Sequence, residues 1–292
     1  MNKLPLETRV RVLTMLVEGS SMRSISRVCD VSINTVTKLL VDAGKVCMAF
    51  HDEKVRKVTA QRVQADEIWS FSYCKARNVR GAKSAPEGAG DIWTWTGIDA
   101  DSKLMISWHV GDRTQDTGIA FMSDLRARLA NKVQLTTDGH KAYLTAVDHV
   151  DIDADYAMLN KIYASDRLTG ISRYSPPKIV GTKIEVIQGN PDPAHISTSF
   201  AERQNLTMRM AMRRFTRLTN AFSKKFENHC HALALYFFWY NWTRQHKAHR
   251  LSPAMAAGLT DRLLSMADLA NMVDAAQPKP RKRGSYKKRL AA

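Results

Sequence analysis

The chain has 292 residues, 44% of them hydrophobic, which is enough to build a sizeable core as one large domain or two modest ones. A formal net charge of +16 favours a polyanionic partner, because clustered Lys and Arg gain affinity by releasing counterions condensed on phosphates. Nucleic acid is the first expectation and an anionic membrane surface the second. The longest apolar run, about 232–239, is far too short to span a bilayer, and the N-terminus lacks a secretion-signal pattern. A soluble, cytoplasmic and nucleoid-associated protein is therefore expected.

From Leu6 to Gly44 the apolar spacing predicts three short helices, about Leu6 to Glu18, Met22 to Cys29 and Ile33 to Asp42, broken by "GSS" and "DVS". This is a helix-turn-helix outline. Ile25, Val28, Val31, Val36 and Leu39 would fill its small core, Asp30 would take the tight turn, and Ser32 would cap the last helix. If that helix reads DNA, Asn34, Thr35, Thr37 and Lys38 at its N-terminal end are the candidate contacts. A three-helix packing or dimerisation module is the alternative. The all-α unit is placed at 1–48, with a connector of mixed charge over 49–62.

The texture then changes to alternation rich in aromatic residues. "VQADEIWSFSYC" reads as a strand, "DIWTWTGIDADSKLMISWHV" as two strands turning at Asp101 and Ser102, and "KVQLTTDG" as a buried strand with a polar end. Between the last two, Ile119, Phe121, Met122, Leu125 and Leu129 fall at helical spacing. Three strands, a helix and a parallel return strand is the core order of the RNase H-like α/β fold. The expected domain is 63–245, interrupted by an irregular insertion over about 148–198 that contains a short hairpin in "KIVGTKIEVIQGNPDP".

A helix is expected to start near Ser197 or Thr198. Another, over Lys224 to Arg244, places Leu233, Tyr236, Phe237 and Tyr240 on one face, as core and not as a base-stacking platform. Residues 246–292 should form a helical segment and a basic tail, "PKPRKRGSYKKRL", disordered and drawn to phosphates. Cys29, Cys47, Cys74 and Cys230 form no CxxC pair and read as reduced packing residues. His229, Cys230 and His231 are adjacent on a helix, so their side chains diverge and packing is the expected role.

Three acids stand at or near the ends of these elements: Asp66 in the first strand, Asp138 ending the fourth, and Glu202 early in the helix that follows. Cutting or transferring a phosphodiester calls for two divalent cations about 3.5–4 Å apart, held by oxygen ligands. Carboxylates converging from two strands and a helix would supply them. Strand alternation puts Glu67 on the aromatic face and leaves Asp66 as the better candidate, while Asp99 reads as part of the hairpin.

"ADEIWSF", "GIDADSKLMISWHVGDRT", "TTDGHKAY" and "ERQNLTMRMAMRRFTRLTNAFSKKFENH", in that order, resemble a DDE transposase of the insertion sequence 1 family. The resemblance spans about Val63 to Trp242. It implies that Asp66, Asp138 and Glu202 are the catalytic, metal-binding triad, with Mg²⁺ or Mn²⁺ as cofactor and two ions in the site. It implies the RNase H-like fold, and cleavage of transposon ends followed by strand transfer. A dimer or higher oligomer on double-stranded DNA would handle both ends. Arg209 lies two turns beyond Glu202 and matches a basic residue such enzymes often carry; Arg203, Arg213, Arg214 and Arg217 extend the positive surface. Between Arg203 and Arg250 the only acid is Glu227, against ten Lys and Arg, which suits a phosphate-facing surface. Asn205 is expected to position substrate. Two departures stand out: a long segment separates Asp138 from Glu202, and there is no Cys-rich zinc element, so end recognition would fall to the helix-turn-helix. The rival readings are a DNA-binding regulator that has lost its chemistry and a nuclease that cuts without joining.

Overall fold

The computed structural model describes residues 3–164, 178–216 and 220–277. Arg217 and the basic tail lie outside them. The chain opens with helices α1 (Leu6–Val17), α2 (Met22–Val28) and α3 (Ile33–Lys54). Side-chain caps start the second and third: Ser21 Oγ accepts from the Ser24 amide and Ser32 Oγ from the Thr35 amide, each at 3.1 Å. Asp30 takes a left-handed φ of 48° in the turn between them, as its place in "DVS" predicts. Val12, Ile25, Cys29 and Val36 close a small core. Val28, expected inside it, is instead exposed, as the last residue of α2.

α3 does not stop at Asp42. Val36, Leu40, Ala43, Cys47 and His51 keep an apolar stripe at three- and four-residue spacing, so the segment read as a connector continues as helix to Lys54. That stripe carries the N-terminal unit onto the rest of the molecule, and Leu13, Val17, Leu40 and Cys47 belong to the same core as the sheet.

The sheet has six strands in the order β3-β2-β1-β4-β5-β6. β1 (Arg62–Ser72) is followed by a single helical turn, α4 (Ala76–Val79), and then by β2 (Gly90–Asp99) and β3 (Met105–Gly111), each antiparallel to the strand before it. Asp99 organises the β2-β3 turn: its carboxylate accepts from the Asp101 and Ser102 amides, both at 3.1 Å. α5 (Gln115–Arg128) buries Phe121, Met122 and Leu125 and returns the chain to β4 (Val133–Asp138), parallel to β1. α6 (Ala142–Val150) then leads to β5 (Ala154–Tyr163), parallel to β4, and β6 (Ile179–Gln188) pairs antiparallel with β5 at the edge.

The segment read as an insertion therefore contains two strands of the sheet. β5 has the burial of a core strand only over its first half, and its polar end, Asn160-Lys161, masked the strand pattern in the sequence. The expected hairpin over 178–193 is one strand, because Gly181 stays in the ladder opposite Ile162.

Two helix layers cover the sheet. Gly97 meets Leu125 and Phe121 of α5 on one face. On the other, Gln64 Oε1 accepts the Phe200 and Ala201 amides at 2.8 and 3.2 Å, fixing the start of α7 (Ser199–Ala211) on β1. α8 (Phe226–Phe238) buries Leu233, Tyr236 and Phe237, and Tyr240 follows in a π-helical turn, all as core. α9 (Pro253–Ala256) and α10 (Met266–Ala276) are the last helices among the described residues, and the Arg9 guanidinium reaches Asp274 of α10 at 2.6 and 3.0 Å. No helix among the described residues is long and apolar enough to cross a membrane.

Candidate active site

The register of two parallel strands sets the first pair of acids. Arg62 pairs with Gln134 and Ala65 with Thr137, and one further step along the same offset places Asp66 beside Asp138, on the face that carries Gln64 and α7. Asp66 is gripped on both oxygens. Oδ1 accepts from the Glu67 amide at 2.8 Å and Oδ2 from Asn205 Nδ2 at 2.8 Å. Burial pushes its pKa up to about 8, reinforced by the negative charges of Asp138 and Glu67. Asp138 accepts the His140 amide at 3.0 Å.

Glu67 leaves the opposite face of β1, among Trp95, Tyr143 and His140, where alternation predicts it. Its length changes the outcome. An oxygen of Glu67 lies with one of Asp66 and one of Asp138 so that all are within 4.8 Å of one another. Arg113 pairs with Glu67 Oε1, with Nη2 at 2.5 Å and Nε at 2.7 Å, the Tyr143 hydroxyl donates to Oε2 at 3.0 Å, and the carboxylate is buried. Burial and then Asp138 push Glu67 up to about 7, against the opposing pull of Arg113. Arg113 itself stacks over Trp93, its guanidinium carbon 4.7 Å from the ring centroid.

Glu202 stands across the opening. It lies in the first turn of α7, where Oε1 accepts from Thr198 Oγ1 at 2.6 Å and forms an ion pair with Lys161 of β5. Its carboxylate is not among the three converging acids, yet it lines the same cavity of about 540 Å³ as Asp66, Glu67, Asp138, Asn205 and Arg209. Positions 202, 205 and 209 follow each other at helical spacing, so α7 aims an acid, an amide and a cation into one cleft.

The other predicted contacts fall elsewhere. Arg203 and Arg213 are exposed. Arg214 turns inward instead: Nη1 donates to Ser223 Oγ at 2.7 Å beside buried His229, and burial pushes its pKa down to about 10. The chain turns into a 3₁₀ segment after α7, which carries Arg214 off the helix face. Asn205 likewise holds Asp66 and is only 4% exposed. On α3, Asn34 and Lys38 are exposed, with Lys38 paired to Asp42 at 2.5 Å, while the Thr35 and Thr37 hydroxyls bond Ser32 and the Ile33 carbonyl. Sequence reasoning missed Arg113, whose signal was its place in "GDRT", and Lys161, which gave none once β5 had been read as insertion.

The cluster fits a hard divalent cation. Three converging carboxylates, of which Asp66 and Glu67 have raised proton affinity and Asp66 is gripped by an amide and a backbone N–H, form an oxygen donor set whose repulsion a cation would relieve. No protein-family model matches the sequence, and no curated protein matches it. Among solved structures, the chain is similar to a piggyBac transposase in a synaptic complex with hairpin DNA, at a TM-score of 0.35 and 10% identity over 92% of this chain and 70% of that one. A likeness that distant leaves the argument to the site.

Proposed function

We propose that the chain is a metal-dependent DNA transposase, similar to the insertion sequence 1 family, that cuts at transposon ends and joins them to target DNA. The observation that carries this reading is the alignment of Asp66 with Asp138 on adjacent parallel strands, with Glu67 converging on them and Glu202 and Arg209 lining the same cleft. Asp66, Asp138 and Glu67 would hold Mg²⁺ or Mn²⁺, and Glu202 would join them once a phosphate draws Lys161 away or a cation displaces it. Bound there, the cations would activate the attacking hydroxyl and neutralise charge on the phosphodiester. Asn205 fixes the Asp66 rotamer, and Arg209, with Arg203 and Arg213 nearby, offers positive charge to the DNA backbone. The three N-terminal helices would act as a helix-turn-helix that reads the terminal repeats through the exposed start of α3. The working form would be a homodimer or larger assembly on double-stranded DNA, in the cytoplasm.

The test is incubation with Mg²⁺ and a labelled duplex carrying the element's ends, beside Asp138→Asn and Glu202→Gln. Strand-transfer products from the wild type alone support the proposal. Cleavage without joining points to a nuclease. One observation favours a second reading, a DNA-binding regulator: Glu202 is held by Lys161 apart from the other acids. Specific binding with no cleavage would establish it.

A further inference from the structure

Among the described residues β6 is the last strand of the sheet, with no strand beyond it, and nearly all its residues are exposed. Val180, Ile184 and Val186 are 59%, 46% and 55% exposed, so apolar side chains stand in water on an edge strand ten residues long. Such an edge is usually blunted by Pro, a short strand or clustered Lys. This one has no Pro, and its regular stretch, 181–186, has the sequence Gly-Thr-Lys-Ile-Glu-Val. In a chain of net charge +16, residues 179–188 carry one Lys and one Glu and are neutral. A surface built for a phosphate backbone would be basic. The neutral apolar edge suits protein.

The charges say which protein. Lys183 and Glu185 lie on one face, 3.8 Å apart. Antiparallel pairing of β6 with a second β6 about a two-fold axis at Ile184 sets Lys183 opposite the partner's Glu185 and Glu185 opposite the partner's Lys183. It also sets Thr182 opposite the partner's Val186, and Ile184 opposite itself, a row of β-branched residues on the other face. The segment is thus complementary to its own copy.

We infer that β6 is a self-pairing strand through which two copies of this chain join their sheets edge to edge, centred on Ile184. This does not depend on DNA cutting. It has a consequence if the proposed function holds. Asp138, Leu159 and Ile184 are in direct register across β4, β5 and β6. An axis normal to the sheet would leave both acid clusters on the same face, five strand spacings or about 24 Å apart along the sheet.

The test is sedimentation of the full chain, free of nucleic acid, at physiological ionic strength. The wild type should dimerise, and Lys183→Glu or Glu185→Lys alone should weaken dimerisation about tenfold or more by placing like charges opposite one another. The double swap should restore it. An equimolar mixture of the two single variants should form heterodimers, and this arm separates pairing between strands from any effect within one. A monomeric wild type, which would mean that the edge is covered by the chain's own segment or left bare, overturns the proposal. So does a dimer indifferent to the single swaps, or single variants that fail to pair when mixed. DNA cleavage is a separate readout, so failure here leaves the functional proposal standing.

Discussion

Asn205 Nδ2 donates to Asp66 Oδ2 across 2.8 Å, tying the helix that bears Glu202 to the strand at the centre of the sheet. The bond orients the Asp66 carboxylate, and it fixes one turn of α7 over the acid cluster. Asn205→Ala should lower divalent cation affinity by about 10–100-fold, the usual cost of losing a group that orients a metal ligand. Titration with Mn²⁺ would measure it, and cleavage should fall in parallel. Unchanged affinity would mean that Asp66 is held by the Glu67 amide alone.

Glu67 and Arg113 make a second prediction. Glu67→Gln removes a negative charge that raises the proton affinity of Asp66 while keeping a group able to bond Tyr143. The variant should bind cations more weakly, yet be the more stable protein without them. Arg113→Ala does the opposite, leaving a buried carboxylate with Tyr143 as its main donor. Because Arg113 is itself 42% exposed, the expected loss is about 1–2 kcal/mol, below the cost of breaking a fully buried pair. Denaturant titrations of both variants without metal check the two signs.

What could be read from the sequence was what local chemistry dictates. Asp30 in a left-handed turn, Ser32 at a cap and the strand order through β4 follow from residue type and periodicity over a few positions. The rest depended on distant partners. α3 runs on to Lys54 because α8 and β3 are there to receive it, with Phe50 against Phe238 and the His51 ring bonded to the Ile106 carbonyl, and a sequence stripe does not announce its partner. Glu67 was assigned to the correct face, but alternation describes where a side chain starts and not how far a three-bond arm reaches. Glu202 was legible as an acid in a basic helix, while its hold on Lys161 required β5, whose second half is too polar to read as a strand.

The acid cluster also fixes a pH dependence. Asp66 and Glu67 are pushed up to about 8 and 7 in the folded chain, from ordinary values of 3.8 and 4.5, so the folded state binds more protons than the unfolded state between those limits. Stability without metal must therefore fall as pH rises through that window. Buried His51 and His229 and partly buried His246, pushed down by burial to about 4, 3 and 4, act in the other direction, and their contribution fades only as the unfolded imidazoles, with an ordinary value of 6.5, finish losing their protons. Between pH 7 and 8 the carboxylate effect exceeds what is left of theirs. The melting temperature of the metal-free protein should drop across that interval, Asp66→Asn should flatten the drop, and Mg²⁺ should stabilise more at pH 8 than at pH 6.5. A melting temperature that rises over the same range in the wild type would contradict the cluster.

Gly44 tests whether the N-terminal helices and the sheet form one body. In an exposed helix, Gly→Ala gains about 1 kcal/mol. Here an added Cβ would lie 2.5 Å from His231 Cβ, 2.7 Å from its Cα and 2.8 Å from its carbonyl oxygen. Backbone cannot swing aside as a side-chain tip can, so α3 and α8 would have to separate. Gly44→Ala should lose about 1–3 kcal/mol, the usual cost of overpacking. Gly81→Ala is the control, since its nearest neighbour is 3.8 Å away. Because Leu13, Val17 and Leu40 share a core with the sheet, that loss should shift a single cooperative unfolding transition. If α1 to α3 instead melted first, leaving the sheet intact, the shared core would be too weak to couple them.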